Sequence, residues 1–181
     1  MLNLIKTRRS VRKYLDKPVP EDLLAQVCEA GTYAATGHGL QSPRIVAITR
    51  PELVKRLSRM NAEILMEQHP QLREKNPGLD PFYGAPAVIL VLADRACRTY
   101  LYDGSLVMGN LMLAAHALGL GTCWIHRAKE EFNSEEGRAI LRDLGIEGDY
   151  EGIGHCIIGY PADTQLPAPR PRKDDYVVWV K

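Results

Sequence analysis

Residues 87–93 read AVILVLA, a continuous apolar run that lies between Pro86 and Asp94. Short apolar runs enriched in β-branched side chains are typical of strands that are buried on both faces. We therefore predict a strand over 87–93 in the middle of a sheet that is covered on both sides.

On both sides of this run, apolar residues recur with helical or strand periodicity. Helical spacing predicts helices over residues 2–8, 20–33, 51–67, 103–118 and 134–144, the last capped by Ser134 and ended by Gly145. β-rich runs predict further strands over residues 44–49, 122–126 and 154–160, the first of them buried. The polar, proline-marked connection from Gln68 to Pro81 is expected to be the most mobile element. Helices and strands thus alternate in an α/β order.

The composition excludes several classes of protein. The chain has 181 residues, 45% hydrophobic and 25% charged, as in ordinary globular proteins, and we expect one domain over residues 1–181. A net charge of +1 provides no field that would hold a nucleic acid nonspecifically, so we expect no nucleic-acid partner. The most apolar stretch, Gly104–Leu120, contains Asn110 and His116 and is barely as long as the ~20 apolar residues of a membrane span. It favours a buried helix and no membrane association.

The cysteines and histidines show no metal-binding spacing. The four cysteines are far apart and form no C-x-x-C pair, which argues against a zinc ribbon or a redox dithiol. We expect reduced, mostly buried thiols in a cytoplasmic protein. The histidines are scattered, and no H-E-x-x-H pair occurs, so no metal site is predicted.

Two basic clusters lie near opposite ends of the chain. Arg8-Arg9-Ser10-x-Arg12 places guanidinium groups and a hydroxyl at the end of the first predicted helix, where they would suit a phosphate. A solvated basic turn explains these residues equally well. The second cluster, Arg170-Pro171-Arg172-Lys173, is aimed by its prolines, and for Lys173 a solvated tail remains the alternative.

Two glycine-containing segments could approach a ligand closely. The segment from Ala35 to Pro43 contains Gly37 and Gly39 and offers uncharged hydrogen-bonding side chains. The segment Gly119–Ile125 could lay backbone amides and an apolar wall against a planar ring. Without further context, the first is a loop, and the second is a helix end followed by a buried strand.

The order and spacing of these segments resemble the nitroreductase family of flavoproteins, over nearly the whole chain. In that family an R-R-S-x-R segment grips the phosphate of FMN. The resemblance therefore assigns the phosphate to Arg8, Arg9, Ser10 and Arg12, and it matches the family's basic C-terminal pair with Arg170 and Arg172.

The resemblance also assigns residues to the flavin ring. The family's G-x-N-x-Q loop, which reaches the flavin from the other subunit, is matched by residues 37–41, preceded by Ala35 and Thr36. Gly39 stands where the family has asparagine, so backbone contacts from Thr36 and Gly37 gain weight. Asn61 resembles an asparagine that the family offers to the ring edge.

The family's G-L-G-[ST]-C-W-I segment matches residues 119–125. It would place backbone groups near Ile125, His126 and Arg127 beside the isoalloxazine ring. His126 could donate a proton, but a backbone contact suffices there, and we assign no catalytic side chain.

The resemblance implies an α+β fold with a mixed central sheet flanked by helices. It also implies an obligate homodimer with two FMN sites between the subunits. The C-terminal arm of about residues 161–181 would be exchanged, which would give the apolar residues 176–180 a place to dock.

By resemblance, the chain is an FMN-dependent oxidoreductase. NADH or NADPH would pass a hydride to the flavin and leave, and an organic acceptor such as a nitroaromatic, a quinone or a flavin would take its place. The alternatives are a module that stores or senses FMN without turnover and, least favoured, a nucleic-acid-binding domain built on the arginines.

Overall fold

The computed structural model of the protein describes residues 1–163 and 165–181, and the C-terminal arm is therefore described except at Thr164. Four strands of these residues form one sheet in the order β1-β2-β4-β3. The strands are β1 (Pro43–Ile48), β2 (Ala87–Asp94), β3 (Gly121–Ile125) and β4 (Tyr150–Gly159).

Helices precede and connect these strands. They are α1 (Leu2–Thr7), α2 (Glu21–Thr32), α3 (Pro51–Gln68), α4 (Gln71–Lys75), α5 (Tyr100–Ala117), α6 (Ala128–Asn133) and α7 (Glu135–Asp143). Single 3₁₀ turns lie at Gly37–Gly39 and Asp174–Tyr176. The five helices expected from the sequence are confirmed, whereas α4 and α6 were not predicted.

Strand β2 lies at the centre of the molecule, as its sequence predicts. Val88, Leu90 and Leu92 are fully buried in one apolar cluster, which includes residues of α3, α6 and α7. The intervening side chains, such as Ile89 and Val91, are fully buried in a second cluster with residues of α2 and α5. Successive strand residues point to opposite faces, so this one run anchors helices on both sides of the sheet.

The α+β class is confirmed, but two sequence-based expectations about the sheet were wrong in detail. A mixed sheet was expected, whereas all three strand pairs are antiparallel. Parallel pairing is seen in the described residues as an isolated bridge between Ser10 and Thr122. Strand β1 was expected to be buried, but it is an edge strand whose Arg44 and Ala47 are exposed, because it pairs on one side only, with β2, and helices cover it only in part.

The N-terminal segment runs along the outer side of β3. The amide of Val11 donates to the carbonyl oxygen of Thr122 at 2.9 Å, and the amide of Leu15 donates to that of Tyr160 at 2.9 Å. These bonds satisfy backbone groups at the sheet edge and place the first basic cluster beside the start of β3.

The end of the chain is extended and exposed. Among the described residues, one side-chain hydrogen bond joins the arm to the first basic cluster, from Arg9 Nε to the carbonyl oxygen of Pro167 at 3.0 Å. From Tyr176 to Val180 the side chains are between 62% and 94% exposed. Within the described part of the chain, this apolar segment is therefore left largely uncovered.

The four cysteines are free thiols. Cys123 and Cys156 are buried, whereas Cys28 and Cys97 are half-buried. Burial raises the pKa of Cys156 far above its ordinary value. None of the helices in the described part of the chain combines the length and apolarity needed to cross a membrane.

Candidate functional site

The first basic cluster begins at Arg8, directly after the last residue of α1. Arg8 follows the helix with an extended backbone (φ −57°, ψ 132°), so its side chain leaves the helix direction. Its Nη1 atom is buried and has no hydrogen-bond partner in the described structure. Burial and the charges of Arg8 and Arg9 lower the pKa of His116, which is hydrogen-bonded to Thr7 Oγ1 at 3.0 Å. Positive charge is therefore concentrated around the end of α1.

The other members of the two basic clusters differ in their surroundings. Arg9 is used locally, because its Nη1 donates to the carbonyl oxygens of Lys6 and Arg8. The Arg12 guanidinium lies 6.0 Å from the centre of the Tyr83 ring. Arg170 and Arg172 are exposed, and Arg172 Nη2 donates to the Arg170 carbonyl oxygen at 3.0 Å. The hydrogen bond from Arg9 to Pro167 places the C-terminal arm against the first basic cluster. The assignment of the arginines of both clusters to a phosphate stays a prediction.

The segment from Ala35 to Pro43 after α2, called the glycine loop below, is held by a buried carboxylate that sequence reasoning missed. Asp103, only 2% exposed in α5, accepts hydrogen bonds from the Gly37 amide (3.1 Å), Ser42 Oγ (2.7 Å) and Thr99 Oγ1 (3.1 Å). Thr36 Oγ1 in turn accepts from the Gln41 amide at 3.1 Å. The loop is thus a fixed structure.

The backbone of this loop is left-handed at several positions. His38 has φ 53° and Gln41 has φ 51°, as well as Gly39 at φ 68°. A left-handed conformation costs an L residue about 1–2 kcal/mol. Such strain persists where the surrounding contacts impose it and is frequent at functional sites. Ala35 is exposed just before this turn.

The glycine loop and the first basic cluster lie at opposite ends of the sheet. The carbonyl oxygen of Ser42 accepts from the amide of Asp94, the last residue of β2. Ser10 forms a bridge with Thr122. Thr122 pairs with Ile158, which pairs in turn with the first residue of β2. At ~3.3 Å per residue, the eight residues of β2 separate the two levels by roughly 23 Å. Within one chain, the two segments therefore lie at opposite ends of β2 and not side by side.

The turn after β3 is the third predicted contact region. Ile125 is buried, His126 is exposed, and Arg127 has a left-handed backbone at φ 81°. Asn61, fully buried in α3, donates from Nδ2 to the carbonyl oxygen of His126 at 2.7 Å. Its Oδ1 accepts from Arg127 Nε and Nη2 at 3.1 and 2.9 Å. Asn61 therefore holds this turn, and a direct contact with a flavin stays a prediction.

Two more buried polar residues, Glu131 and His155, lie behind Asn61, and sequence reasoning assigned neither of them a role. Glu131 belongs to the unpredicted α6. His155 lies inside a strand pattern, where one histidine is most simply explained as part of the core. The sequence did contain a signal, since Glu131 and Asp103 are charged residues among side chains that cover the sheet. A buried carboxylate needs hydrogen-bond partners, so such a residue indicates a polar contact inside the protein.

A cavity of about 840 Å³ opens along another face of α3. One wall is formed by Val54, Ser58, Ala62 and Met66 of that helix, and the other by residues 77–80 and 82. It includes part of the Gln68–Pro81 connection but none of the residues assigned to FMN. The cavity and the predicted flavin contacts are thus separate features.

Comparison with known proteins decides the family. The model of the Nitroreductase family matches residues 5–160, which is most of the chain.

The chain belongs to the nitroreductase family.

Solved structures and curated relatives agree with this. A nitroreductase from Bacteroides fragilis NCTC 9343 with bound FMN is 28% identical, with a TM-score of 0.89 over 99% of this chain and 98% of that one. A nitroreductase with bound FMN from Desulfitobacterium hafniense DCB-2, 22% identical with a TM-score of 0.86 over 99% of this chain and 97% of that one, supports the fold. An NADPH-dependent oxidoreductase of Staphylococcus aureus (strain USA300) is 27% identical over 94% of this chain and 68% of that protein. The nitroreductase fold of the chain is thereby confirmed.

Proposed function

We propose that this nitroreductase-family protein is an FMN-dependent oxidoreductase that transfers reducing equivalents from NADH or NADPH to an organic acceptor such as a nitroaromatic, a quinone or a flavin. The observation that carries the proposal is the buried, unpaired Nη1 of Arg8 at the segment that resembles the family's phosphate grip. The FMN in the Bacteroides fragilis relative and the name of the Staphylococcus aureus relative support it.

The surroundings of Arg8 fit a phosphate. A buried donor that lacks a partner costs about 1–3 kcal/mol, and a phosphate oxygen would remove that cost with a charge-assisted hydrogen bond. Besides burial, the charges of Arg8 and Arg9 lower the pKa of His116, so both guanidinium groups act on the same small region. Ser10 and Arg12 would complete the grip, because both follow Arg8 on the segment fixed to β3.

The turn after β3 suits the flavin ring. When bound, FMN supplies two-electron chemistry between a nicotinamide and an organic acceptor. The chain would contribute the backbone of Ile125 and His126, whose carbonyl oxygen is fixed by Asn61. Ala35, Thr36, Gly37 and Gly39 would approach the ring from the partner subunit.

Binding and orientation are the roles that we assign to the protein. His126 is exposed, and a backbone contact explains its position, so we assign it no proton transfer. Arg170 and Arg172 would add positive charge for the phosphate from the C-terminal arm. No catalytic side chain is proposed.

We further propose that the active form is a homodimer with an FMN site between the subunits. The separation of roughly 23 Å along β2 between the glycine loop and the Arg8 cluster supports this, since two chains can bring together what one keeps apart. The exposed apolar residues 176–180 are suited to docking on the partner.

The test is an absorption spectrum of the purified protein, followed by anaerobic addition of NADH or NADPH. We expect a flavin band that bleaches with the nicotinamide and returns when an acceptor is added. A band that persists in the presence of both nicotinamides would favour the storage or sensing alternative. A colourless protein that takes up no added FMN would refute the proposal.

A further inference from the structure

Behind the turn after β3, four polar side chains from different elements form a continuous hydrogen-bonded chain. Arg127 donates to Asn61 Oδ1, and Asn61 Nδ2 donates to Glu131 Oε1. Glu131 Oε2 is bonded to His155 Nε2 at 2.8 Å. This hydrogen-bonded network begins at the turn after β3 and ends inside the sheet at β4.

The inner part of this network is completely shielded from solvent. Asn61, Glu131 and His155 are each 0% exposed, and the His155 ring lies 5.1 Å from the ring of Phe82 and 6.1 Å from that of Phe132. A buried ionised group is expensive unless it is paired and hydrogen-bonded. Apolar residues would fill this space at lower cost, so stability alone is a weak reason for the network.

The hydrogen bonds indicate which side chain of the network carries the negative charge. His155 Nδ1 is buried without a partner, so a proton on that atom would be an unsatisfied donor. The arrangement therefore favours a neutral imidazole whose Nε2–H donates to Glu131. The carboxylate then keeps its negative charge, and the nearest cation of the network is Arg127, on the far side of Asn61.

The outer end of the network holds a strained turn. The left-handed backbone of Arg127 costs about 1–2 kcal/mol and needs contacts that impose it. Asn61 binds both sides of this residue, the His126 carbonyl oxygen before it and the Arg127 guanidinium. Glu131 fixes the orientation of the Asn61 amide, because only its Nδ2 end can face a carboxylate.

We infer that Glu131, held by His155, is a positioning residue: it acts through Asn61 to fix the His126–Arg127 backbone for the flavin, and its buried carboxylate lowers the midpoint potential of bound FMN. The inference rests on the proposed function. Reduction adds negative charge to a flavin, and a fixed anion behind the ring-binding turn opposes that change.

The experiment measures the midpoint potential of the bound flavin, by equilibration with reference dyes, in the FMN-loaded wild type and in Glu131→Gln. The substitution keeps the shape of the side chain and removes its charge, so we expect a more positive potential. Glu135→Gln is the matched control, since it makes the same change at an exposed position four residues further along. Its potential should equal that of the wild type.

A second variant separates charge from position. Glu131→Asp keeps the charge but is too short to reach both Asn61 and His155, so we expect a wild-type potential with an FMN affinity about tenfold weaker, as for one lost hydrogen bond. If Glu131→Gln does not fold, this variant decides the question, and an unchanged affinity overturns the inference.

The outcomes distinguish the inference from the proposed function. A wild type that binds no FMN refutes the proposed function. A wild type that binds FMN, together with a folded Glu131→Gln of unchanged potential, overturns only the inference. A residue with a purely structural role would lower the unfolding temperature of the variant without moving the potential.

Discussion

Arg8 is expected to have opposite effects on the stability of the apoprotein and on the affinity for FMN. Its Nη1 is buried and unpaired, so Arg8→Ala removes an unsatisfied donor from the protein without FMN. We expect the FMN affinity to fall by about 10- to 100-fold, the equivalent of a charge-assisted hydrogen bond, with no loss of stability in the apoprotein. Fluorescence titration with FMN and thermal unfolding measure the two effects.

The exposed Arg142 in the last turn of α7 provides the control for this variant. Arg142→Ala should leave the FMN affinity unchanged. An Arg8→Ala protein that retained full affinity would contradict the phosphate assignment, and so would a double variant with Arg12→Ala that still retained FMN.

Asp103 holds the glycine loop by accepting three hydrogen bonds with its two oxygens. Asp103→Asn replaces one of these oxygens with a donor, so at least one bond is lost and one buried group is left unsatisfied. We expect a loss of about 1–3 kcal/mol in the free energy of unfolding, measured with urea. We also expect weaker FMN binding, because the loop is proposed to contact the flavin.

The matched control is Asp149→Asn, which affects an exposed pair with Arg95 at 3.3 Å. Surface ion pairs contribute about 0–1 kcal/mol, so the change should be small. Equal effects of the two substitutions would mean that Asp103 does not organise the loop.

His116 links pH to stability. Its pKa lies below the ordinary value of 6.5 because of burial and the nearby Arg8 and Arg9, so the unfolded chain binds more protons than the folded one just below pH 6.5. Stability should therefore fall as the pH is lowered through 6.5 toward the folded pKa. In His116→Gln the loss of stability between pH 7.5 and 5.5, measured with urea, should be smaller than in the wild type. An equal loss would contradict this assignment.

At this scale, the sequence predicted the residues that carry a motif and missed those that act by being buried. Arg8 and Ser10 were predicted as phosphate ligands because a guanidinium–hydroxyl pattern has a direct chemical meaning. Asp103 and Glu131 have no local signature, since their role depends on amides and side chains distant in the sequence. Only the fold shows that these carboxylates are enclosed.

Among the elements, α7 depends on its N-terminal cap. Ser134 Oγ accepts from the Gly137 amide at 3.0 Å. Ser134→Ala should reduce the free energy of unfolding by about 1 kcal/mol, as is usual for the loss of such a cap. Ser105→Ala is the control, because Ser105 lies within α5 and its Oγ donates to the carbonyl oxygen of Leu101 in the preceding turn. Alanine suits that position, so the control should lose no stability. Similar losses would mean that the cap contributes nothing special.

Elements with strong periodicity were predicted to within a few residues, and those that depend on their neighbours were not. The apolar run of β2 and the cap and glycine of α7 are local signals. Strand β4 begins at Tyr150, four residues before the predicted start, because its first part is defined by pairing with β2 up to Asp94. The short α6 packs against β4 and α7, so tertiary contacts and not its own sequence stabilise it.

For the whole molecule, the decisive prediction concerns the apolar end of the chain. Deletion of residues 176–181 should weaken dimer association, since Tyr176–Val180 are 62–94% exposed within one chain. The measurement is sedimentation velocity over a range of concentrations, with removal of Lys181 alone as the control. A dimer of unchanged stability would mean that the tail does not bind the partner.

Sequence periodicity predicted less about the assembly of subunits than about residues or elements. It identified a tail that could not bury itself, but the placement of that tail and the shared site came from family resemblance. The structure adds a physical argument, because the glycine loop and the first basic cluster lie at opposite ends of the sheet. Their positions follow from the register of the paired strands, which no single segment of the sequence specifies.

The positions of the thiols have a practical consequence for site-specific labelling. Maleimide dyes react with the thiolate, and they need access to it. Cys123 and Cys156 are enclosed in the sheet, and burial raises the pKa of both Cys156 and Cys28. Half-buried Cys97 lies two residues before Thr99, which is bonded to Asp103, and is thus the thiol best placed to carry a dye without further substitution. A fluorophore there would report on the loop when a ligand arrives.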